Sequence, residues 1–186
     1  MSFDYFVAVH EKDWPTAAGV QSALDGLGYP LRLVDARPIP FAVADFKDGL
    51  AVEFEEKRVL LEAFIEQASD ADDPDSLYGY IAESAQANFN ISNGDYFLTL
   101  TFRSDADQIR AGLYLAAAII LSFNGYGFEN QAETHGGKDF ADQLLAEAAD
   151  AQAFERPAVS YDDFTPSSVQ ANPSIIDRIL GIFRPK

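Results

Sequence analysis

The chain contains no cysteine, and this absence removes several kinds of chemistry at once. Disulfide bonds, thiolate metal ligands, cysteine nucleophiles and thiol redox switches all require that side chain. Histidine is also scarce, since only two occur in 186 residues. Because histidine is the commonest general base near neutral pH, imidazole acid–base chemistry in this protein depends on one or both of these residues.

Long apolar runs are absent as well. No uninterrupted apolar stretch reaches the roughly 18 residues that cross a bilayer. The first residues, Met1 to Tyr5, lack the cationic and apolar regions of a signal peptide. We therefore expect a cytoplasmic protein without a membrane partner.

The sequence also lacks the short motifs that identify common enzymes. It has no G-x-S-x-G serine motif, no H-E-x-x-H zinc motif and no G-x-G-x-x-G dinucleotide motif. The acidic run from Asp70 to Asp75 lacks the alternation and the glycine of a calcium loop. We therefore predict no metal site and no cofactor, and the missing motifs favour a protein that is not an enzyme.

Positive charge is scarce and unevenly placed. The chain has 30 acidic residues against 13 lysines and arginines, and its net charge is −17. Residues 1–153 hold 26 of the acidic residues and 9 of the basic ones, whereas residues 154–186 hold four of each. The negative electrostatic field of these charges repels nucleic acid and attracts basic proteins. A simpler explanation of the same charge is that the acidity only keeps the protein soluble.

The patterns that are present indicate a mixed fold. Tyr5 to His10 alternates as a first strand, and a helix then runs from Pro15 to Gly28 with apolar residues on one face. Leu31 to Ala36 predicts a second strand. Phe41 to Phe46 and Leu50 to Phe54 flank an Asp-Gly pair, which predicts a hairpin.

The second half of the chain is richer in helix signals. Lys57 to Ala68 favours a helix, although a strand is also compatible with it, whereas the alternation in Asp95 to Arg103 is typical of a strand. Ser104 begins a capping-box-like pattern for a helix to Asn124, and this helix is apolar all round from residue 113 to 121, as a buried helix is. Phe140 to Ala151 predicts one more amphipathic helix.

This order of elements predicts an α+β protein, a two-layer sandwich in which helices pack on one face of an antiparallel or mixed sheet. The length and the hydrophobic content of 48% suffice for one core, which we place in residues 1–153. Residues 154–173 contain three prolines and predict a linker or an arm.

Residues 174–186 predict a short amphipathic helix that must dock to be stable, because ten residues are too few to be helical alone in water. Docking on its own domain, docking on a second copy as a homodimer, and docking on another protein all remain open. Docking on a membrane surface is the least favoured, because the helix has a thin cationic face beside a strongly negative body. The apolar stripe, which is the predicted interaction surface, consists of Ile175, Ile176, Ile179, Leu180 and Phe183.

Candidate chemistry is confined to the surroundings of the two histidines. His10 ends the first strand and is followed by Glu11 and Asp13, but a solvated turn is the commoner explanation of such a group. His135 lies in the segment Glu133-Thr-His-Gly-Gly-Lys138, which has the glycines and lysine of a phosphate cradle without the spacing of a P-loop. We interpret that segment as a flexible connection.

A resemblance is carried by Trp14-Pro-Thr, by Leu24 with Gly28-Tyr-Pro-Leu31, by Gly49 with Glu53-Phe54-Glu55, and by Arg103-Ser-Asp before the alanine-rich helix that ends at Asn124-Gly125. With these features the chain resembles small acidic bacterial proteins of unknown function over about residues 3 to 150. Some acidic proteins of this size are immunity proteins that block a toxin. The resemblance implies a protein partner and assigns no functional residue.

Two hypotheses follow. The first is a non-enzymatic interaction or inhibitor protein, immunity-like, that binds a protein partner through its acidic surface or its apolar tail. The second is a small enzyme or ligand-binding domain with His10 or His135 as acid or base. Its pocket would be lined by aromatic side chains, which more commonly serve packing: Trp14, Tyr78, Tyr80, Tyr96, Tyr114 and Tyr126.

Overall fold

The computed structural model describes residues 3–42, 49–85 and 88–151. Within these residues the chain forms seven strands and four α-helices. The strands are β1 (Phe3–Val9), β2 (Leu31–Leu33), β3 (Leu50–Phe54), β4 (Lys57–Gln67), β5 (Tyr96–Phe102), β6 (Tyr126–Glu129) and β7 (Thr134–Gly136). The helices are α1 (Ala17–Leu27), α2 (Leu77–Ala85), α3 (Ala106–Ser122) and α4 (Lys138–Asp150).

The strands form one antiparallel sheet in the order β2-β3-β4-β5-β1-β6-β7. Alternate residues face opposite sides, as strand geometry requires. Val7 and Leu98 join the main core, to which α1, α3 and α4 contribute their apolar faces. The predicted α+β sandwich is confirmed.

The second face of the sheet is partly covered by α2, which the sequence left ambiguous. Phe6, Phe97 and Phe128 point to this side and form a separate cluster with Ile81 and Ala85 of α2. The expectation of helices on one face therefore holds for α1, α3 and α4, and α2 adds a smaller layer on the other face.

The helix predicted from Lys57 to Ala68 is wrong, because these residues form β4. Val59, Leu61 and Ala63 alternate inward along it. A two-residue turn at Glu55 and Glu56 returns the chain from β3, and both residues have positive φ, 48° and 67°. Such turns usually carry Asn-Gly or Asp-Gly, so the pair Glu-Glu gave no hairpin signal.

The predicted hairpin around Gly49 is correct only in its second half. Leu50 to Phe54 forms β3, with Val52 and Phe54 buried and Glu53 exposed as expected. Its neighbours, however, are β2 and β4. Residues 43–48, most of the predicted first strand, lie outside the described residues.

The long central helix begins one residue later than its predicted cap. Asp105, rather than Ser104, accepts the backbone N–H of Gln108 as the N-cap of α3. The helix of residues 140–151 is confirmed as α4, but the hairpin of β6 and β7 before it was not predicted. The predicted linker and tail, residues 154–186, lie outside the described residues.

Candidate functional site

The two histidines of the chain line one open cleft of about 860 Å³. One wall comes from the end of β1 and the turn after it, and another from the start of β6, the strand β7 and the start of α4. We call this the histidine cleft; the residues used below are His10, Lys12, Asp13, Phe89, Ile120, Leu121, Tyr126, His135, Lys138 and Asp139.

Sheet register explains why residues so far apart in sequence meet here. β1 and β6 are antiparallel neighbours with Ala8 opposite Tyr126, so His10 follows β1 beside the start of β6. β6 in turn pairs with β7, which places His135 opposite Phe128. Both imidazoles therefore reach the same end of the sheet.

His10 is held by a buried carboxylate. Its Nδ1 lies 3.0 Å from Oδ2 of Asp95, whose side chain is 8% exposed. Asp95 also accepts the backbone N–H groups of Glu11 at 3.1 Å and Ser92 at 2.9 Å. Because these oxygens act as acceptors, we assign the proton of neutral His10 to Nδ1, which leaves the lone pair on Nε2.

The Nε2 atom of His10 has no hydrogen-bond partner among the described residues. The side chain is 29% exposed and lines the cleft, so a ligand can reach that nitrogen. A carboxylate that bonds to one imidazole nitrogen orients the ring and fixes which nitrogen carries the proton. His10 is therefore arranged to accept a proton or a hydrogen bond at Nε2.

A row of aromatic rings connects the two histidines. His10 stacks on Phe89 with ring centroids 4.3 Å apart and planes 10° apart. Phe89 stacks on Tyr126 at 5.5 Å, and the hydroxyl of Tyr126 lies 2.6 Å from Nδ1 of His135. Phe128 stacks on the far histidine ring at 6.0 Å. These contacts form a continuous wall that fixes the position of both imidazoles.

The charged residues of the cleft have both signs. Lys12 and Lys138 are exposed and form no ion pair with any described residue. Asp13 and Asp139 supply two carboxylates. Because two lysines face two aspartates in number, the charge of the cleft favours neither an anionic nor a cationic ligand. These polar side chains favour a polar ligand.

A metal centre has no support in the part of the chain that the structure describes. No group of three or more His, Asp or Glu side chains there is placed to hold a metal ion. The acidic run at residues 70–75 forms a turn-rich loop in which Asp73 accepts the backbone N–H of Asp75.

Of the four residues suggested by the sequence, three line the cleft: His10, Asp13 and His135. Glu11 does not line it, because its side chain is exposed elsewhere and only its backbone N–H joins the site through Asp95. No sequence pattern indicated Asp95 or Phe89 as a neighbour of a histidine, whereas Tyr126 was among the aromatic residues expected in a pocket with one. Asp95 was recognised only as the start of a strand.

Most of the aromatic residues expected to line a pocket serve packing. Among the six expected, only Tyr126 lines the histidine cleft. The indole of Trp14 stacks on Tyr96 at 4.6 Å and donates to the carbonyl oxygen of Phe41. The others pack on phenylalanines of the sheet: Tyr78 on Phe97, Tyr80 on Phe128 and Tyr114 on Phe54.

The predicted apolar stripe of residues 175–183 lies outside the described residues. None of the described helices is both long enough and apolar enough to cross a membrane. Comparisons of the chain with protein-family models, with curated proteins and with solved structures found no match.

Proposed function

We propose that this protein binds a small polar molecule in the histidine cleft, with His10 acting on it as a base or hydrogen-bond acceptor. The observation that carries the proposal is the pairing of His10 with the buried Asp95 at the edge of a cleft that also contains His135. Preorganised acid–base groups in a concave site are the usual mark of a ligand-binding or catalytic centre.

The size and walls of the cleft suit such a ligand. Pockets for small molecules commonly measure about 300–1,000 Å³, and the histidine cleft measures about 860 Å³. Phe89, Ile120 and Leu121 offer apolar contact, while the imidazoles and the lysines offer polar contact. The ligand class is therefore a polar molecule with an apolar part and with a group that donates to Nε2 of His10.

The test is a thermal-shift screen of small metabolites against the full-length protein, followed by calorimetry with any binder. A ligand at about 100 times its Kd stabilises the folded state by about 2.7 kcal/mol. His10→Gln and His135→Gln should each weaken binding by about tenfold or more. Arg37→Gln is the matched control, because Arg37 is exposed and pairs with Asp35 outside the cleft.

A screen without any binder would count against the proposal. A binder whose affinity is the same in wild type, His10→Gln and His135→Gln would place the binding site elsewhere and overturn it. Chemical turnover of a bound ligand that is lost in His10→Gln would extend the proposal from binding to catalysis.

A second candidate function, binding of a basic protein, is supported by the surface charge. The described residues contain 24 carboxylate side chains and only eight lysines and arginines. Four of those eight are already paired with carboxylates. This excess of negative charge favours a basic partner, and it is compatible with the immunity-like resemblance, in which an acidic protein blocks a toxin.

Affinity capture from a bacterial lysate, followed by binding measurements with the purified partner, tests this candidate. Loss of binding at high salt alone would assign the contact to the acidic surface, because salt screens exposed charges. Loss on deletion of residues 154–186 would assign it to the tail. If no partner is recovered even at low salt, the ligand-binding proposal stands alone.

A further inference from the structure

A second, smaller cavity lies on the helical face of the sheet, at the other end of β1 from His10. Its volume is about 230 Å³, and it shares no residue with the histidine cleft. We call it the carboxylate hollow; it is lined by Phe3, Tyr5, Phe102, Ile109, Leu113, Glu129 and Glu147. Five of these seven side chains are aromatic or aliphatic, and the other two are carboxylates.

Register and helix packing bring the two carboxylates together. Glu129 is the antiparallel partner of Tyr5 in the sheet, and Glu147 lies on the last turns of α4. The hydroxyl of Tyr5 donates to Oε2 of Glu147 at 3.2 Å. Both glutamates line the cavity, Glu129 from the sheet and Glu147 from the helix layer. Both side chains are partly shielded from water.

Only neutral donors satisfy these carboxylates within the described residues. Thr134 donates to Glu129 at 3.1 Å, and Gln143 and Tyr5 donate to Glu147. Neither glutamate forms an ion pair with a described lysine or arginine. The two carboxylates therefore share a partly buried space that no described lysine or arginine lines.

The environment of the hollow raises the pKa of two of its groups, Glu129 and Tyr5. Burial raises the pKa of Glu129 above its ordinary value, and the charge of Glu147 raises it further. Burial, followed by the same two carboxylates, also raises the pKa of Tyr5. A positive charge placed in the hollow would oppose the rise in the pKa of Glu129, because it would stabilise the carboxylate in its charged form.

The walls are suited to an organic cation. The rings of Tyr5 and Phe102 lie 5.4 Å apart with their planes tilted by 56°, so together they form an aromatic corner. Aromatic faces attract cations, most strongly where water is excluded. The volume far exceeds the roughly 30 Å³ that one water occupies in the liquid, which suits an alkyl stem with a charged head better than a bare ion.

We propose that the carboxylate hollow binds the guanidinium or alkylammonium head of a ligand between Glu129 and Glu147, with the stem against Phe3, Phe102 and Leu113. The ligand is either a free amine or guanidine, or an arginine or lysine side chain of a partner protein. The proposal is independent of the histidine cleft, because the two sites have no residue in common.

The experiment is a calorimetric titration of the full-length protein with n-butylguanidinium, and with n-butylurea as a neutral probe of the same shape. We expect saturable binding of the cation and at least tenfold weaker binding of the urea. Glu129→Gln and Glu147→Gln should each weaken cation binding by about tenfold. Asp142→Asn is the control, because Asp142 is an exposed carboxylate on the same helix outside the hollow.

A second measurement separates this site from general attraction to an acidic surface. Affinity should fall as the pH is lowered from neutral, because protonation of Glu129 removes the charge that holds the ligand. An arginine tripeptide that binds more than tenfold tighter than n-butylguanidinium would identify a protein side chain as the ligand, and equal affinity would identify a free small cation.

Three results would overturn the proposal: no saturable binding of n-butylguanidinium, equal binding of the urea, or unchanged affinity in both glutamine variants. Thermal unfolding of each variant must first show that it is folded. Failure here leaves the histidine-cleft proposal untouched, since that proposal is tested with His10→Gln and His135→Gln.

Discussion

His10 and Asp95 are 85 positions apart in the chain, yet Nδ1 of the first lies 3.0 Å from Oδ2 of the second. The carboxylate also binds two backbone N–H groups, one directly after β1 and one in the loop before β5. One buried side chain thus joins the turn after β1 to that loop and fixes the imidazole at the mouth of the histidine cleft.

Replacing the carboxylate of Asp95 by an amide tests how much its hydrogen bonds stabilise the fold. Asp95→Asn keeps the shape but replaces one acceptor oxygen by an amide donor, which leaves at least one of the three contacts unmade. We expect a loss of about 1–3 kcal/mol in the free energy of unfolding. The lost contact should be that of Glu11, because His10 and Ser92 both bond Oδ2, where the amide oxygen of Asn can replace the carboxylate oxygen.

Chemical denaturation measures the loss, and Asp142→Asn, an exposed substitution, should stay within about 0.5 kcal/mol of wild type. An unfolding free energy of Asp95→Asn within about 0.5 kcal/mol of wild type would show that the contacts of Asp95 do not stabilise the fold.

Removing the hydroxyl of Tyr126 tests the far end of the aromatic row. Tyr126→Phe deletes the 2.6 Å contact with His135 while the ring and its stacking on Phe89 remain. We expect a cost of about 0.5–1.5 kcal/mol in unfolding free energy. His135 should become more mobile, as measured by relaxation of its ring protons, whereas His10 should not change.

Two glycines give predictions of opposite sign. A Cβ at Gly127 would overlap the ring of Phe140, which lies in the first turn of α4 beside the cleft. Gly127→Ala should therefore destabilise the protein by about 1–3 kcal/mol, as overpacking does. Gly26 is exposed in α1, where an added Cβ meets nothing within 4 Å, so Gly26→Ala should stabilise it by about 0.5–1 kcal/mol.

Thermal or chemical unfolding of the two variants side by side measures both effects. Equal stabilities of Gly127→Ala and wild type would show that Phe140 moves aside without cost, and α4 would then be less firmly seated on β6 than the contact indicates.

The turn between β3 and β4 contains strain that can be relieved. Glu56 is exposed, has φ of 67° and makes no hydrogen bond with a described side chain, so its conformation serves only the turn. Glu56→Gly should stabilise the protein by about 0.5–1 kcal/mol, because glycine adopts this conformation freely. Glu55 is a poorer choice, because it pairs with Arg110 at 2.6 Å. Glu53→Gly, within β3 itself, is the control and should destabilise the protein.

The raised pKa of Glu129 predicts a pH dependence of stability. A carboxyl group whose pKa is higher in the folded state than in the unfolded state favours folding below its unfolded pKa, and that contribution is lost as the pH rises through the folded pKa. Glu129→Gln should therefore be more stable than wild type at neutral pH. The difference should shrink as the pH falls toward the ordinary range of glutamic acid.

Denaturant unfolding of both proteins over that pH range measures the difference. A variant that is less stable than wild type at neutral pH would show that the neighbours of Glu129 stabilise its charged form and that its pKa is not raised by folding.

Local patterns predicted the elements that carry their own signals. The helix α1 was recognised because Pro15 precedes it and because Gly28, with φ of 71°, ends it. The strand β5 was recognised from its strict alternation. In β4, by contrast, Val59, Leu60 and Phe64 satisfy helical spacing as readily as Val59, Leu61 and Ala63 satisfy strand spacing. The turn before β4 also lacks the residues that usually mark a hairpin.

The site was predictable only as a list of side chains with suitable chemistry. His10 and His135 could be named because the chain offers no other imidazole, but their meeting depends on the register of β1, β6 and β7. Asp95 and Phe89 reach His10 through a loop whose path no local pattern indicates. Long-range pairing, rather than residue type, therefore decided which candidates share the cleft.

The direct pairing of β4 with β5, in which Gln67 lies opposite Tyr96, makes residues 68–95 an excursion from the sheet. This excursion supplies α2, the ring of Phe89 and the carboxylate of Asp95. Because the ladder between the two strands is complete without it, insertions or substitutions in the excursion can reshape one wall of the cleft while the sheet keeps its register. The shape of the proposed binding site can thus change through exposed positions of a single segment, whereas its buried residues, such as Ile81 and Ala85, belong to the second core cluster.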